Sequence, residues 1–598
     1  MTNVQKSRKY LYAAILIILI VVVGSAGYYY FAPRGVAPIA TTTGTSVTGT
    51  TTGAMAFKDT LIIGTTDSLG GPLDGVWSLG FFDSNVVESL GAPLVDIAPG
   101  SSPTQLVPSL ATDWSVSADG LTYTFNLRQG VKWADGTCCF NATVVKYHFD
   151  RGMQLNPPDG AFSYTGVHDL LNYTKVTGPY QIVFHLNHRF APFLGLLAGS
   201  VGYVVTPKYA PMAQVNYTAG DILHSTPMAD NLGPYRLTEW TKVGGKDYSF
   251  GLDANPYYWN ASGGYPKTPH IKIIIYSDAT ALAVAMKAGD IDVAYRQLLP
   301  TDITNMESDP TLKVWQREGP FIQYLIFQQA IKPFDDVHVR RAIAAAIDRH
   351  LLTDTVFLKQ TFPLYSMIPE GMFAHNDAFK MYGDANYTYT RQVLNALGYD
   401  ENKKLVVDFW YESSGHYPSS SDQAVAIKSA LEASGVIQVN LHGADWPTFR
   451  ANMRASSQAL FQFGQYPDYM DPDNYVFLMS KGATNLNDHY DNPELDALIA
   501  TAAQTADPQQ RTQLYDQIQQ ISAMDVPVIP LWQGSAFAVS KPNVGGIVLD
   551  LTQVFRYSLL YEPISTQSII EPILTADTLS PAVTASNVPS SRFFTFMP

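Results

Sequence analysis

Cysteine is nearly absent from the 598 residues: there are two, side by side, Cys138 and Cys139. With no C-x-x-C, a zinc ribbon and a thioredoxin-like redox motif are both excluded. A vicinal disulfide is strained, so two buried thiols are the expectation for the pair. Basic residues are scarce as well, 38 Lys and Arg against 52 Asp and Glu, for a formal net charge of −14. Phosphate binding needs a basic footprint, so no nucleic-acid partner is expected, and the acidic balance reads as solubility. Also missing are G-x-x-x-x-G-K-[ST], H-E-x-x-H and G-x-S-x-G, which removes P-loop hydrolysis and two common hydrolase engines. His185 and His188 lie three apart on a predicted strand, point to opposite faces, and make a poor metal pair. Asp468, Asp471 and Asp473 lack the glycine and terminal glutamate of a calcium loop. Read as glycosidase carboxylates they would need a defined separation across a cleft, which spacing in the chain does not provide. No catalytic residue, cofactor or metal is therefore expected.

Only one long apolar run is visible. It covers residues 11–23, follows Lys6, Arg8 and Lys9, and extends to Phe31 past Tyr28, Tyr29 and Tyr30. Basic residues before it and aromatics after it orient the amino terminus to the cytoplasm and the bulk of the chain outside. The strictly apolar core suits a cleaved signal peptide, with Gly24-Ser25-Ala26 as the small-residue site, whereas the whole segment is long enough to span a bilayer. No lipid-accepting cysteine follows. Residues 41–53, TTTGTSVTGTTTG, cannot build a core and read as a flexible stalk. A stalk is useful when its near end is held, so a retained membrane anchor over residues 1–31 and a stalk over 32–56 are the preferred reading.

Apolar residues are plentiful, 46% hydrophobic with 12% aromatic, enough for a large buried core. The most informative stretch is residues 110–151. It holds two Asp-Gly turns, Asp119-Gly120 and Asp135-Gly136, and between them Leu121, Tyr123, Phe125 and Leu127 alternate with polar residues. That spacing predicts a strand with one buried face. Behind Asn141, a candidate cap, Val144, Tyr147, His148 and Arg151 recur at helical spacing. Further along, residues 282–295 read as a helix closed by Gly289 with a strand behind it. Residues 333–352 place Val339, Ile343, Ile347 and Leu351 on one helix face. Gly398 and Gly435 each separate a predicted helix from a strand, and this alternation predicts α/β units on a largely parallel sheet.

As a phrase, residues 110–151 resemble the signature of the extracellular solute-binding proteins of peptide/nickel ABC importers. Leu110, Ala111, Trp114, Tyr123, Phe125, Leu127, Arg128, Lys132, Trp133, Asp135 and Gly136 carry the resemblance; Cys138-Cys139 departs from it. Residues 231–240, 254–260, 289–292, 339–349 and 490–514 are similar to later segments of the same family. The resemblance spans about residues 57–550 and implies a two-lobed α/β fold of the type II periplasmic-binding-protein kind, with a subdomain inserted in the first lobe. The implied layout is lobe I at residues 57–95, 231–325 and 536–565; the inserted subdomain at 96–230; lobe II at 326–535; and a tail at 566–598.

The resemblance also implies a ligand site. Gly464, Asp468, Asp471 and Pro472 match the family's Gly-x-x-x-Asp-x-x-acid-Pro segment, in which the Asp that aligns with Asp468 pairs with a peptide's α-ammonium. Asp471-Pro472 is expected in a capping or turn role. Gln465, Tyr466 and Tyr469 beside Asp468 suit a peptide backbone or a sugar. Trp410, Tyr411, Trp446 and Trp532 are further cleft aromatics, with buried core as the plainer alternative for each. The expected partners are an oligopeptide or dipeptide, with an oligosaccharide second, the permease subunits of an ABC importer, and the membrane through the N-terminal helix; a monomer is expected. A surface glycosidase or peptidase is the alternative from another class.

Overall fold

The computed structural model describes residues 56–564 apart from residues 70–72, 79–80, 156–159, 206, 208–230, 297, 415 and 481–485. The expected anchor, the tail and nearly all of the stalk lie outside the described residues. Ala56, which closes the expected stalk, already belongs to a short strand, Ala56–Phe57, paired antiparallel with Pro563–Ile564. Among the described residues no helix is long and apolar enough to cross a membrane.

Local chemistry explains the elements of residues 110–151. Gly120 and Gly136 adopt φ of +69° and +82°, the left-handed backbone that an Asp-Gly turn requires of its glycine. Strand Thr122–Leu127 buries Tyr123, Phe125 and Leu127 and leaves the alternate residues half-exposed. Asn141 accepts from the N–H groups of Thr143 and Val144, starting helix Ala142–Leu155; such a cap contributes about 1 kcal/mol. His148 and Arg151 are fully buried on that helix, while Val144 and Tyr147 are half-exposed, so the inward face is rotated toward Val145 and Phe149. Arg151 makes a bidentate pair with Asp74, at 3.1 and 2.8 Å, both side chains fully buried.

This region forms its own four-stranded antiparallel sheet, in the order Ala111–Val116, Thr122–Leu127, Gln181–Leu186, Leu171–Gly178, over an apolar core centred on Phe125, Phe149 and Phe184. The principal sheet has eleven strands. At its centre two long strands, Lys313–Phe327 and Val528–Ser540, run antiparallel. Lys313 to Glu318 pair with Ser540 to Ser535; the register then breaks and resumes at Ile322 opposite Gln533. The core changes at the same place. Ala536 and Ala538 pack with Leu61, Ile63 and Phe250, whereas Ile322, Leu325, Ile529 and Leu531 pack in a large cluster with Val407, Phe409 and Ile427.

Three expectations need correction. The sheet is mixed rather than largely parallel: Thr60–Thr65 and Leu405–Glu412 have parallel neighbours, but every ladder along the two long central strands is antiparallel. A chain that leaves one core and returns to it must cross twice in opposite directions, which the parallel α/β pattern does not include. The helix predicted over residues 333–352 stops at Ala346. Ile347 turns extended and Asp348 caps a new short helix, Arg349–Leu351, so Leu351 does not share the face of Val339. Finally, Cys138 and Cys139 are not buried thiols; they form a vicinal disulfide just beyond the Asp135-Gly136 turn, where Cys138 bridges to Lys132, with Cys138 exposed and Cys139 half-exposed.

Candidate functional site

The register break of the central strands opens onto a cavity of about 1070 Å³. Phe321 and Gly534 line it from the strands, and Trp532 lines it beside them, buried and donating its indole N–H to Gln423. Strand Leu460–Gln465 enters next to Lys313–Phe327 and ends at the cavity wall. Gly464 is required there by close approach: a Cβ would lie 2.4 Å from the Phe321 ring and 2.7 Å from that of Tyr417. Its role is to let two aromatic walls close on the strand.

The loop beyond Gly464 is pinned from three sides. Asn474, on the short helix Asp473–Val476, accepts from the side-chain amide of Gln465 and from the backbone N–H of Asp468, each at 3.1 Å. It donates its own amide to the Asp468 carboxylate at 3.3 Å. Asp471 is buried and receives a bidentate pair from Arg511 at 2.8 and 2.7 Å, while also accepting the N–H of Asp473. The expected turn role of Asp471 is therefore accompanied by an ion pair that fastens the loop to helix Pro508–Asp525. Tyr475 donates to the carbonyl of Pro320, tying the short helix to the register break.

Asp468 stands where this loop meets the open volume. It lines the large cavity and also a second one of about 300 Å³ on its other side. Its side chain reaches solvent in the cleft, yet the surrounding protein strips enough water to push its pKa up to about 6, against the opposing hydrogen bond from Asn474. Among the described residues no cation lies within ion-pair distance of it.

The expected site residues are thus gathered, with differing duties. Gly464, Gln465, Tyr466 and Asp468 line the large cavity. Tyr466 packs on Phe321 at 4.9 Å between ring centres and borders both cavities. Tyr469 faces only the smaller cavity and spends its hydroxyl on Asp473, at 2.7 Å. Asp473 is itself pushed up to about 6 by burial and the neighbouring Asp471 charge. Of the four further aromatics, Trp446 and Trp532 line the cavity; Trp410 stacks on His442 and, like Tyr411, does not.

Sequence reasoning passed over Asn474 and Glu412. Glu412 is fully buried and accepts the N–H groups of Ser414, His416 and Tyr417, together with the Ser414 hydroxyl. Burial works to raise its pKa, but these donors together hold it below the ordinary glutamate value. It shapes the segment from His416 to Ser419 that lines the cavity. The available signal was slight, a Glu at a strand end ahead of a Ser-Ser-Gly turn.

Residues 105–487, well over half of the chain, match the model of the bacterial extracellular solute-binding proteins, family 5 Middle. The chain belongs to this family. Among similar family 5 proteins, di/tripeptide-binding protein 2 of Pseudomonas aeruginosa is 29% identical over 475 residues, covering 76% of this chain and 85% of its own. Heme-binding protein A of Haemophilus influenzae is 27% identical over 480 residues, covering 76% and 83%. The solved structure of HbpA2 from Haemophilus parasuis superposes with a TM-score of 0.73 at 23% identity, covering 84% of this chain and all of its own. That likeness identifies the mixed α/β fold of periplasmic binding proteins. The signature resemblance of residues 110–151 is borne out by the family match, and the chain is a family 5 solute-binding protein of the peptide/nickel ABC-transporter type.

Proposed function

We propose that this family 5 protein captures peptides bearing a free amino terminus in the large cavity and delivers them to the permease of an ABC importer. The observation that carries the reading is Asp468, a partly desolvated carboxylate on the cavity wall with no cationic partner among the described residues. An unpaired acid in such a place is stabilised by a cation from the ligand, and a peptide's α-ammonium supplies one with three donors. Haem carries carboxylates in place of an ammonium, and neutral sugars carry neither, so Asp468 favours peptides over both. The volume of about 1070 Å³ stands at the top of the usual range for small-molecule pockets and suits a peptide chain.

In this reading lobe I comprises residues 57–95, 231–325 and 536–565, with residues 96–230 as its inserted subdomain, and residues 326–535 form lobe II. The register break at residues 319–321 and 533–535 is the hinge. Closure on the ligand would be the shift that the permease reads. Residues 1–31 would hold the protein at the outer face of the cell membrane through the stalk.

The test is thermal unfolding of the purified full chain with pools of free peptides, N-acetylated peptides, oligosaccharides and haem. A ligand present at a hundred times its Kd stabilises by about 2.7 kcal/mol. Stabilisation by free peptides alone is the expected result; stabilisation by sugar or haem alone would overturn the peptide assignment.

A further inference from the structure

Beyond strand Gln181–Leu186 the chain makes a polar turn, Asn187 to Arg189, and then an apolar segment, Phe190-Ala191-Pro192, that leads into the short helix Phe193–Leu197. Tyr123, on strand Thr122–Leu127, donates its hydroxyl to the Phe190 carbonyl at 3.2 Å, and its ring meets that of Phe193 at 4.8 Å. The four-stranded sheet thus holds this segment from behind.

Three contacts run from it to the part of the chain assigned to lobe II. The Ala191 N–H donates to the Ala503 carbonyl at 2.6 Å, in the last turn of helix Pro493–Gln504. The Phe190 ring meets Tyr469 edge-on, ring centres 5.8 Å apart. Gly195 approaches the Met470 carbonyl so closely that a Cβ would stand 3.3 Å from that oxygen. Tyr469 accordingly packs with the core of Phe125, Phe149 and Phe184, although its loop belongs to residues 326–535.

The two gripped pieces form one unit. Arg511, which pairs with Asp471, also donates its Nε–H to the Ala502 carbonyl at 3.1 Å, so the loop and the helix end move together. The smaller cavity extends from Pro320, at the register break, to Gly195, Tyr469 and Met470 at these contacts. Rotation about the break that opens the cleft therefore has to part them.

Resting on the peptide reading and its hinge, we infer that residues 190–195 are a clasp, which closes on Tyr469, Met470 and Ala503 as the lobes come together and holds the Asp468 loop over the bound amine. Phe190 and Gly195 are positioning residues in this arrangement, since they act through the loop. A backbone hydrogen bond and an edge-on aromatic pair are individually weak, so the grip prolongs closure without making it permanent. The subdomain inserted in lobe I thereby gains a task in ligand retention.

Contacts of a closed state act on release more than on capture. The experiment combines hydrogen exchange at the Ala191 amide with stopped-flow release of a fluorescent tetraalanine peptide. It uses the full chain and its Phe190→Ala, Gly195→Val and Phe190→Tyr variants. Saturating peptide should slow Ala191 exchange about tenfold in the wild type, a measurement that stands whatever a variant does. Phe190→Ala and Gly195→Val should release the peptide about fivefold faster with association unchanged, and Phe190→Tyr, which keeps the ring, should match the wild type. Exchange across strand Thr122–Leu127 should be the same in all four proteins, which separates loss of the clasp from loss of folding. Ala191 exchange that ignores bound peptide, or release unchanged in both Phe190→Ala and Gly195→Val, overturns the clasp and leaves the peptide reading standing. Equal binding of the N-acetylated peptide overturns the amine reading, and slowed Ala191 exchange would then still support the clasp. Failure of both forms to bind the wild type overturns the two together.

Discussion

Asp468→Asn removes one charge at nearly constant shape and separates ammonium pairing from every other contribution to binding. In the native cleft the carboxylate receives a single side-chain hydrogen bond, from Asn474, and is otherwise directed at open volume. A charge-assisted hydrogen bond contributes about 1.5–3 kcal/mol. Because water reaches this carboxylate, about 2 kcal/mol is expected, or roughly thirtyfold in Kd. The assay is a cycle of two proteins and two ligands, wild type and Asp468→Asn, each titrated with one peptide in free and N-acetylated form. The variant should lose about thirtyfold for the free peptide and little for the acetylated one. The pH dependence has a definite sign. With a pKa of about 6, Asp468 is about nine-tenths ionised at pH 7 and one-tenth at pH 5, so affinity for the free peptide should fall about tenfold over that interval. In Asp468→Asn this step should vanish. An unpaired, partly desolvated carboxylate does not stabilise the empty protein, so the variant should unfold no earlier without ligand. Equal affinity of wild type for free and acetylated peptide, or a pH step that persists in the variant, would refute the reasoning.

Asp471→Ala strands the buried Arg511 guanidinium and should cost about 3–5 kcal/mol in urea unfolding, together with weakened peptide binding; a loss under about 1 kcal/mol would contradict the proposed fastening. His148 is fully buried against the Val201 carbonyl and pushed down to about 4 by desolvation. Its folded pKa lies below the ordinary 6.5, so the unfolded chain binds the extra proton between those values and stability falls as pH drops through this window. Relative to wild type, His148→Gln should flatten the loss between pH 7 and pH 4 by about 2–3 kcal/mol, measured by chemical denaturation at both pH values. Glu412→Gln presents an amide to backbone N–H groups that now meet a carboxylate, and should lower stability by about 2 kcal/mol while weakening peptide binding through the His416 to Ser419 wall; unchanged affinity would show that this wall does not touch ligand.

Much of the molecule is legible where the deciding contacts are close along the chain. The Gly120 and Gly136 turns, the Asn141 cap, Gly289 at a helix end and the alternation of Thr122–Leu127 all depend on a few neighbouring residues. Asp468 could be named in advance because it lies in a short motif whose spacing is retained. Where the reading failed, the deciding partner was distant. The break after Ala346 follows from an extended Ile347 and the cap at Asp348, and the mixed sheet follows from two crossings separated by the whole of residues 328–527.

Sequence alone determined the class of protein, the main element boundaries, and one acid worth testing, since turns, caps, periodicity and a contiguous signature are properties of the local chain. Tertiary structure decided which groups share the cavity. It brought Phe321, Tyr417, Gly464 and Trp532 together, and it joined Asp471 to Arg511 and Tyr475 to Pro320. It also left Asp468 without a cation among the described residues. The physical reason is that a charge's pairing, and the water it loses, depend on what folding places within a few ångströms, and residues far apart in the chain supply that surrounding.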